Sequence, residues 1–507
     1  MPVLNPRWSP MITDIHFISL VNLLLPIMNF IRDRLALVAL AGFSLMLIAC
    51  AAVGPDYHQP GIQVPAKFHN DTADSLQATG IEIRWWEAFH DDTLNKLIAE
   101  GFRSNPDVRI ATAKLQEARA LRSESEFDLF PTVTTSASQK YLQRSQGIFG
   151  TRRPGFNLMN VGFDATWELD FFGRVRREIE AKTYEAEAFA AQRRDALVSL
   201  SAEIARNYFE LRGTQHQLEV ATKNAENQAA TLKFTRSRLS GGLGTALDTA
   251  RAEEQLNSTL ATIPPLETHI RSAVHRIAVL QGQTPEKLYP LLKQQTTLPP
   301  VPNLVAIGNP AELLRRRPDI AYAERNLAAT TAEIGVATAD LFPRVTFNGN
   351  VALEAQSFAG LGASGGNTYS FGPSIQWAAF NLGRVYTRIK AAKANKEADL
   401  ALYEKTVLQA LEETENALVA FGQLQTRRDY YKEAVKSGEK ASRLARLRYE
   451  DGVSDFLAVL DAERRLLETQ DQLAQTETDT ATAVVAVYKA LGGGWEWEVE
   501  PNKALSK

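Results

Sequence analysis

Apolar and polar positions along this chain follow two periods, and the period switches at one short junction that occurs twice. Val161, Phe163, Ala165, Trp167, Leu169 and Phe171 alternate with other residues, the period of a strand with one apolar face. After Gly173-Arg174 the alternation stops, and no proline occurs from Arg174 to Ser240. That run is about 67 residues, or ~100 Å of helix, far longer than a globular domain needs. Trp377, Gly383 and Arg384 repeat Trp167, Gly173 and Arg174 at an offset of 210, and a second proline-free run follows to about Asp451. The chain is therefore two copies of one unit, each a strand that feeds a very long helix through a matched strand-to-helix junction.

Within the long runs the apolar spacing is close to a heptad. Leu197, Leu200, Ile204, Tyr208, Leu211 and Leu218 form the seam of copy one, and Val407, Leu411, Thr414, Leu418 and Phe421 that of copy two. Steps of three and four predict knobs-into-holes packing on neighbouring helices. Charged and amide residues fill the other positions, so each helix is expected to keep a wet face. A narrow seam fits a curved wall of helices better than a solid bundle.

The remaining segments fall into place around these helices. Residues 50–84 read as extended, with Gly54-Pro55, Pro60-Gly61 and Pro65. Copy one spans 85–282, with Asn105-Pro106-Asp107 as a helix start. Its strands are expected at 132–144 and 160–172, joined by a polar loop from Gln146 to Asn157. A break at Gly241-Gly242-Leu243-Gly244 precedes a return helix from about Thr245 to Gln281, which Pro264-Pro265 is expected to kink. A linker at 283–309 leads to copy two, 310–491. There Arg317-Pro318-Asp319 opens a helix, strands are expected at 344–356 and 368–381, and a return helix runs from about Asp455 to Leu491. Residues 492–507 form a tail.

Composition adds a compartment. With 45% hydrophobic and 23% charged residues disorder is not the default, and with a net charge of −3 a basic nucleic-acid footprint is absent. The one cysteine, Cys50, excludes a disulfide framework. It follows Arg32, Arg34 and an apolar run from Leu35 to Ile48, the layout of a signal peptide over residues 1–49. The run is too short to span a bilayer. Met28 is an alternative start, and Ile15 to Ile31 an alternative further membrane segment.

The strands set a condition on assembly. Each is about 12 residues, enough to cross a bilayer at a tilt. Four strands per chain fall short of the roughly eight that close a barrel, and open edges in lipid leave backbone groups unpaired at several kcal/mol each. The chain must assemble, and three copies give about 12 strands around one lumen.

The order of several short motifs now carries a resemblance. Leu47-Ile48-Ala49-Cys50, Val53-Gly54-Pro55-Asp56-Tyr57, Trp85-Trp86, Asn105-Pro106-Asp107 and the run Arg448-Tyr449, Gly452-Val453, Leu460-Asp461-Ala462 together resemble the outer-membrane efflux protein family. The likeness is to the TolC-like proteins, closest to their OprM/NodT lipoprotein branch, over nearly all of residues 50–495. It implies a mostly α fold with a membrane β-barrel, 12-stranded in a homotrimer and continuous with a long α-helical barrel in the periplasm. It implies a lipid, palmitate included, on Cys50 as the only covalent group, and no cofactor or metal. Ala52 in place of aspartate favours the outer membrane. The implied role is that of a passive exit duct of a tripartite efflux pump, partnered by a periplasmic adaptor and an inner-membrane transporter of the RND type. An alternative is the outer-membrane part of a protein-secretion system, and a third reading is a solid coiled-coil scaffold.

In that family the periplasmic end narrows where the helix pairs turn, here Arg238 to Asp248 and Arg448 to Asp461. Asp248 and Tyr449 match positions that hold the closed tip, while the family's arginine and inner aspartate fall on Ser454 and Ala458, so that latch is not intact. Asp455 is the candidate for a charged ring, in which three carboxylates repel one another and attract cations, and Asp461 closes the same segment. The competing role for Asp248 and Asp455 is that of helix N-caps, worth about 1 kcal/mol each. Other patterns carry no chemistry. Gly360, Gly362 and Gly365 fit a dinucleotide fingerprint but lie between two strands. Ser364 lacks the context of a nucleophile elbow. His269 and His275 are six apart and do not share a face. Trp167 and Trp377 are expected to pack near a barrel rim rather than to bind a ligand. No phosphate-binding motif is present, so the chain is not expected to be an enzyme or to energise transport.

Overall fold

The computed structural model describes residues 52–70, 76–77, 83–143, 155–294, 297–302 and 305–496. The signal-like segment, Cys50, most of the 146–157 loop and residues 497–507 lie outside them. The chain divides into two compact units, each drawing on both copies.

The first unit comprises Met1–Asp56, Ser123–Ala181 and Thr331–Lys393. It holds a four-stranded antiparallel sheet in sequence order: β1 (Thr132–Leu142), β2 (Phe156–Leu169), β3 (Arg344–Ala355) and β4 (Asn367–Gln376). The strand ends differ from the alternation-based reading. β2 starts at Phe156 because Phe156 to Met159 pair with Leu142 to Gln139. β4 stops at Gln376, where its partner β3 begins at Arg344. Strand length follows the partner rather than the strand's own alternation.

The two hairpins superpose under the repeat. Thr132 faces Thr166, and Arg344, 212 residues on from Thr132, faces Gln376, 210 on from Thr166. The Trp167 indole donates to the Leu129 carbonyl at 3.0 Å, and the Trp377 indole to the Leu341 carbonyl at 3.0 Å. Each tryptophan thus ties a strand end to the end of the preceding helix, a structural role in both copies.

The sheet has two unlike faces. Residues opposite one another across antiparallel strands share a face, so Phe163, Val351 and Tyr369 lie in one row, and Ala165, Gly349 and Phe371 in the next. Val133, Val161, Phe163, Trp167, Phe347, Val351, Tyr369, Phe371 and Ile375 are all on this face and all exposed. The opposite face is polar and internally bonded: Ser136 Oγ donates to Asp164 at 2.9 Å, Asn350 to the same carboxylate at 2.7 Å, and Asn160 to Glu354 at 3.0 Å. An uncovered apolar sheet face of this extent is not what a water-soluble domain presents.

The second unit comprises Tyr57–Arg122, Lys182–Thr330 and Ala394–Lys507. Its longer helices are α1 (Asp92–Ser104), α2 (Pro106–Phe127), α3 (Arg174–Ser240), α4 (Ala246–Leu280), α5 (Pro310–Arg316), α6 (Pro318–Ala339), α7 (Leu382–Glu450) and α8 (Phe456–Ala490), four of which (α2, α3, α6 and α7) begin or end in the first unit. α4 runs unbroken through Pro264 and Pro265. The break that a proline pair threatens is avoided because both sit on the exposed side, where freed carbonyls meet water.

Both long helices keep the expected wet face, but the buried share opposite it differs between them. In the middle of α7 the buried positions are Tyr403, Val407, Ala410, Thr414, Leu418 and Phe421, a single stripe, and Leu408 beside it is exposed. On α3 most of the stretch from Leu197 to Gln215 is buried, Asn207, Arg212 and Gln215 included, with Glu203, Arg206 and Glu210 left on the solvent side. The cover comes from the start of the same copy and from the linker. Trp85, Phe89, Leu94 and Ile98, in the short helix Trp85–Phe89 and in α1, pack on Tyr208 and Phe209, and Trp85 stacks on Tyr488 at 5.2 Å. Arg212 donates to Gln215 and to the Gln294 carbonyl, and Gln215 to the Leu292 carbonyl.

Candidate functional site: the two helical turns

α3 and α4 are joined by one turn, α7 and α8 by another, and the two are built alike. Gly242 and Gly452 both take a φ of +74°, the left-handed region that glycine reaches without strain. Leu243 N donates to the Arg238 carbonyl and Gly242 N to that of Leu239. Val453 and Gly452 repeat these bonds to Arg448 and Tyr449. This double bond pattern with glycine at the turn satisfies the last helical carbonyls.

The following helices are capped, and the cap is where the two turns differ. Thr245 forms a capping box with Asp248: the Thr245 hydroxyl accepts from Asp248 N and the Asp248 carboxylate accepts from Thr245 N. Asp455, the counterpart of Thr245, caps α8 by accepting from Ala458 N at 3.2 Å. Both aspartates therefore make N-cap bonds.

Tyr449 is buried in a small cluster with Leu232, Ala252, Phe456 and Val459. Its ring meets Phe456 at 5.2 Å and Phe234 edge-on at 6.1 Å. Arg238 lies over that ring at 4.8 Å. Its guanidinium donates to the Tyr449 carbonyl at 3.2 Å and to the Leu243 carbonyl at 3.4 Å. Burial pushes the Tyr449 hydroxyl above its usual value; the Arg238 charge opposes that shift and the Asp248 charge adds to it. Arg238, Asp248 and Tyr449 thus share one electrostatic neighbourhood. Asp461 does not join it, being held on its own helix by Arg465 at 2.9 Å and Arg464 at 3.2 Å. One turn of helix further from the tip, Arg446 bonds Thr231 of α3 and Glu463 of α8, both under 3 Å. The sequence named Arg238 only as the edge of a turn. Its one visible signal was a cation in the last turn of a helix, where the dipole favours it.

The strand-to-helix junctions are less alike than their sequences. Gly173 takes a φ of +78° ahead of α3, whereas Gly383 is the second residue of α7. Arg174 forms a two-pronged ion pair with Glu168. The residue 210 after Glu168 is Ala378, and Arg384 has no carboxylate partner among the described residues. Arg177, nearly fully buried, instead binds the extended segment near the N-terminus: its guanidinium donates to the carbonyls of Ala52, Val53 and Gly54 and to Asp56. Arg177→Ala is expected to free that strap. Chymotryptic cleavage after Tyr57 should then speed up about tenfold, the ratio for losing roughly 1.4 kcal/mol of local protection; an unchanged rate would remove Arg177 from this role.

His269 and His275 are both exposed, and no cluster of three potential metal ligands exists among the described residues. Gly360, Gly362, Ser364 and Gly365 lie in the loop between β3 and β4, with no helix after them to receive a phosphate.

Comparison with known proteins agrees with this geometry. The family described as "Outer membrane efflux protein" matches residues 97–283 and 309–493, one segment in each copy. Nodulation protein T of Rhizobium leguminosarum bv. trifolii is 31% identical over 454 residues, 89% of this chain and 96% of that protein. The pyoverdine export outer membrane protein OpmQ of Pseudomonas putida is 31% identical over 463 residues, 89% of this chain and 96% of its own. Among solved structures, the outer-membrane channel OprN superposes with a TM-score of 0.84 at 42% identity, covering 88% of this chain and all of that one.

Proposed function

The chain belongs to the outer membrane efflux protein family, whose members are efflux channels and not enzymes, and from that premise we propose that it is the exit duct of a tripartite efflux system. Three copies join their sheets into a 12-stranded barrel in the outer membrane, and their helices line a duct in the periplasm. Cys50 carries the lipid that anchors each copy. A periplasmic adaptor and an inner-membrane transporter of the RND type deliver the cargo, and transport energy comes from the transporter. Small molecules are favoured over secreted proteins by the relatives: one exports pyoverdine and others serve solvent and toluene pumps.

The observation that carries this reading is the sheet with one exposed apolar face and one polar, carboxylate-bearing face. Such a wall belongs between lipid and water. The helical turns supply the second element, an aperture closed by the Arg238–Tyr449 contact. At their tips Leu243 and Val453, equivalent under the repeat, are exposed apolar residues that suit docking of an adaptor. Purified protein in planar bilayers is expected to conduct ions, and a deletion strain to become sensitive to a defined set of drugs or solvents. A protein that neither conducts nor alters susceptibility is not a duct.

Asp455 separates charge from cap at the aperture. Asp455→Asn keeps an N-cap acceptor and removes the charge, while Asp455→Ala removes both at a cost of about 1 kcal/mol. If a ring of carboxylates governs the closed channel, both variants raise resting conductance and lower cation selectivity. If only the alanine variant does so, the cap is the whole of its role.

A further inference from the structure

The two strand-to-helix junctions carry different charge, although the repeat equates them. In copy one, carboxylates surround the start of α3. Glu168 takes both prongs of Arg174 at 2.8 Å, Asp170 accepts from the backbone N–H groups of Val175 and Arg176, and Glu178 adds its charge beside Arg174. At the offset of 210 those three carboxylates become Ala378, Phe380 and Arg388. At the offset of 212 Thr132 becomes Arg344, while Asp128 corresponds to Asp340. The N-terminal strap covers the junction of copy one, where Val53 N donates to the Phe172 carbonyl. Copy two is open at that point: a Cβ on Gly383, the equivalent of Gly173, would meet nothing within 4 Å.

Copy two therefore gathers three arginines around one carboxylate. Arg344 donates to one Asp340 oxygen at 2.7 Å and Arg388 to the other. Arg384 has no carboxylate partner among the described residues. A guanidinium carries five N–H donors, so one carboxylate satisfies a minority of those in the cluster. Arg384 and Arg388 also lie in the first two turns of α7, where the helix dipole disfavours a cation. Charges placed against a local rule, with no carboxylate to offset them, mark a functional site.

All four charged groups line one cavity of about 350 Å³, at the lower end of the range for small-ligand sites, about 300–1,000 Å³. Its remaining wall is largely apolar, with Trp377, Phe342 and Val385. Two of these are fixed in place: the Trp377 indole by its bond to the Leu341 carbonyl, and Phe342 by stacking on Phe172 at 4.6 Å. The cavity sits at the helix end of the polar sheet face. Arg344 faces Gln376 and shares a side of β3 with Asn350, which bonds Asp164 on that face. The side chains of Arg344 and Arg388 are 44% and 58% exposed, so an anion in solution reaches both.

We propose that this cavity binds organic carboxylates with a flat apolar body, the carboxylate on the free donors of the three arginines and the body against Trp377. The site is complete within one chain; that such anions are cargo rests on the duct proposed above. Guanidinium forks match the two oxygens of a carboxylate, and a ring against an indole adds burial that an inorganic anion lacks. Copy one shows how the site is silenced, since Glu168 occupies the arginine that Arg384 matches. Ala378→Glu restores that carboxylate at an exposed position and removes no donor, so the variant is expected to fold and to occupy Arg384 from within.

Calorimetric titration of the full-length protein in a non-ionic detergent tests this, with 2-naphthoate as the probe and 2-naphthalenemethanol and sulfate as comparisons. Naphthoate is expected to bind the wild type. Ala378→Glu and Arg384→Gln should each weaken it by about tenfold or more, the ratio for losing a two-pronged charged contact. Sulfate, which keeps the charge without the ring, and the alcohol, which keeps the ring without the charge, should each bind about tenfold more weakly or worse. Equal naphthoate affinity in the wild type and in Ala378→Glu overturns the site, as does equal binding of the alcohol. Equal binding of sulfate overturns the choice of organic carboxylates. The same preparations in planar bilayers keep the two readings apart. A channel that conducts but binds no naphthoate overturns the site and leaves the duct standing. A protein that binds naphthoate but passes no current overturns the duct, and the cargo role with it, and leaves the site standing.

Discussion

An Arg238→Ala channel is expected to conduct about tenfold more than the wild type at rest, and its host to become sensitive to large antibiotics that the outer membrane excludes. The guanidinium sits where two long helices end. It belongs to the last turn of α3, and it donates to the carbonyl of Tyr449 in the last turn of α7. Both helix C-termini carry partial negative charge, and one cation between them offsets both. The same group covers the Tyr449 ring at 4.8 Å. A partly desolvated cation–π contact is worth about 1–2 kcal/mol and a charged hydrogen bond a similar amount. Losing ~1.4 kcal/mol of the closed state shifts its population tenfold. Arg238→Lys keeps the charge but loses the fork that reaches two carbonyls, so it should fall between wild type and alanine. Tyr449→Phe keeps the ring that Arg238 covers and should conduct like wild type, whereas Tyr449→Ala should leak. Conductance in planar bilayers and vancomycin susceptibility read all four variants. A wild-type conductance for Arg238→Ala would show that this contact does not hold the aperture.

The architecture was legible because duplication doubles every local signal. Helix ends were placed within about two residues wherever a glycine turn or a capping aspartate marked them in both copies, as at Ser240, Thr245 and Asp455. Strand ends were less so. The alternation that runs on to Trp377 and beyond continues past the last paired residue, Gln376, because periodicity does not know where the partner strand stops. The asymmetry of the long helices was hidden for a different reason. Leu197 to Gln215 and its equivalent on α7 carry similar patterns, and contacts with Trp85–Phe89, α1 and residues 289–294 bury more than the seam of one of them. At the turns the sequence marks the two segments and their aspartates but not the contact between them. Asp461 is taken up by Arg464 and Arg465 on its own helix, a local pairing the spacing already allowed. Arg238 contacts Tyr449, 211 residues away, and no local pattern encodes such a contact.

Gly213→Val is expected to abolish the folded protein, the largest effect on stability anticipated for any single side chain in the helical unit. Gly213 lies in the middle of α3, where glycine costs about 1 kcal/mol relative to alanine, so its presence needs a packing reason. A Cβ there would meet Thr478 Oγ1 at 1.9 Å, Cγ2 at 2.6 Å and Cβ at 2.7 Å. Thr478 has little freedom to move aside. It is β-branched in a helix and buried, and its hydroxyl donates to the Ala474 carbonyl at 2.8 Å. Shifting α3 instead would disturb the buried bonds of Arg212 and Gln215 to the Gln294 and Leu292 carbonyls. Overpacking of this severity costs ~3 kcal/mol or more, a large part of the total stability of an ordinary domain. Gly213→Ala should be the milder version, with the gain in helix propensity offsetting part of the clash. The decisive variant is Gly213→Ala with Thr478→Gly, which moves the missing Cβ from α3 to α8. If the two helices touch at this point, the double variant recovers most of the heat resistance lost by Gly213→Ala, a coupling that independent sites do not show. Strictly additive losses would mean that Gly213 is required for something other than its approach to Thr478.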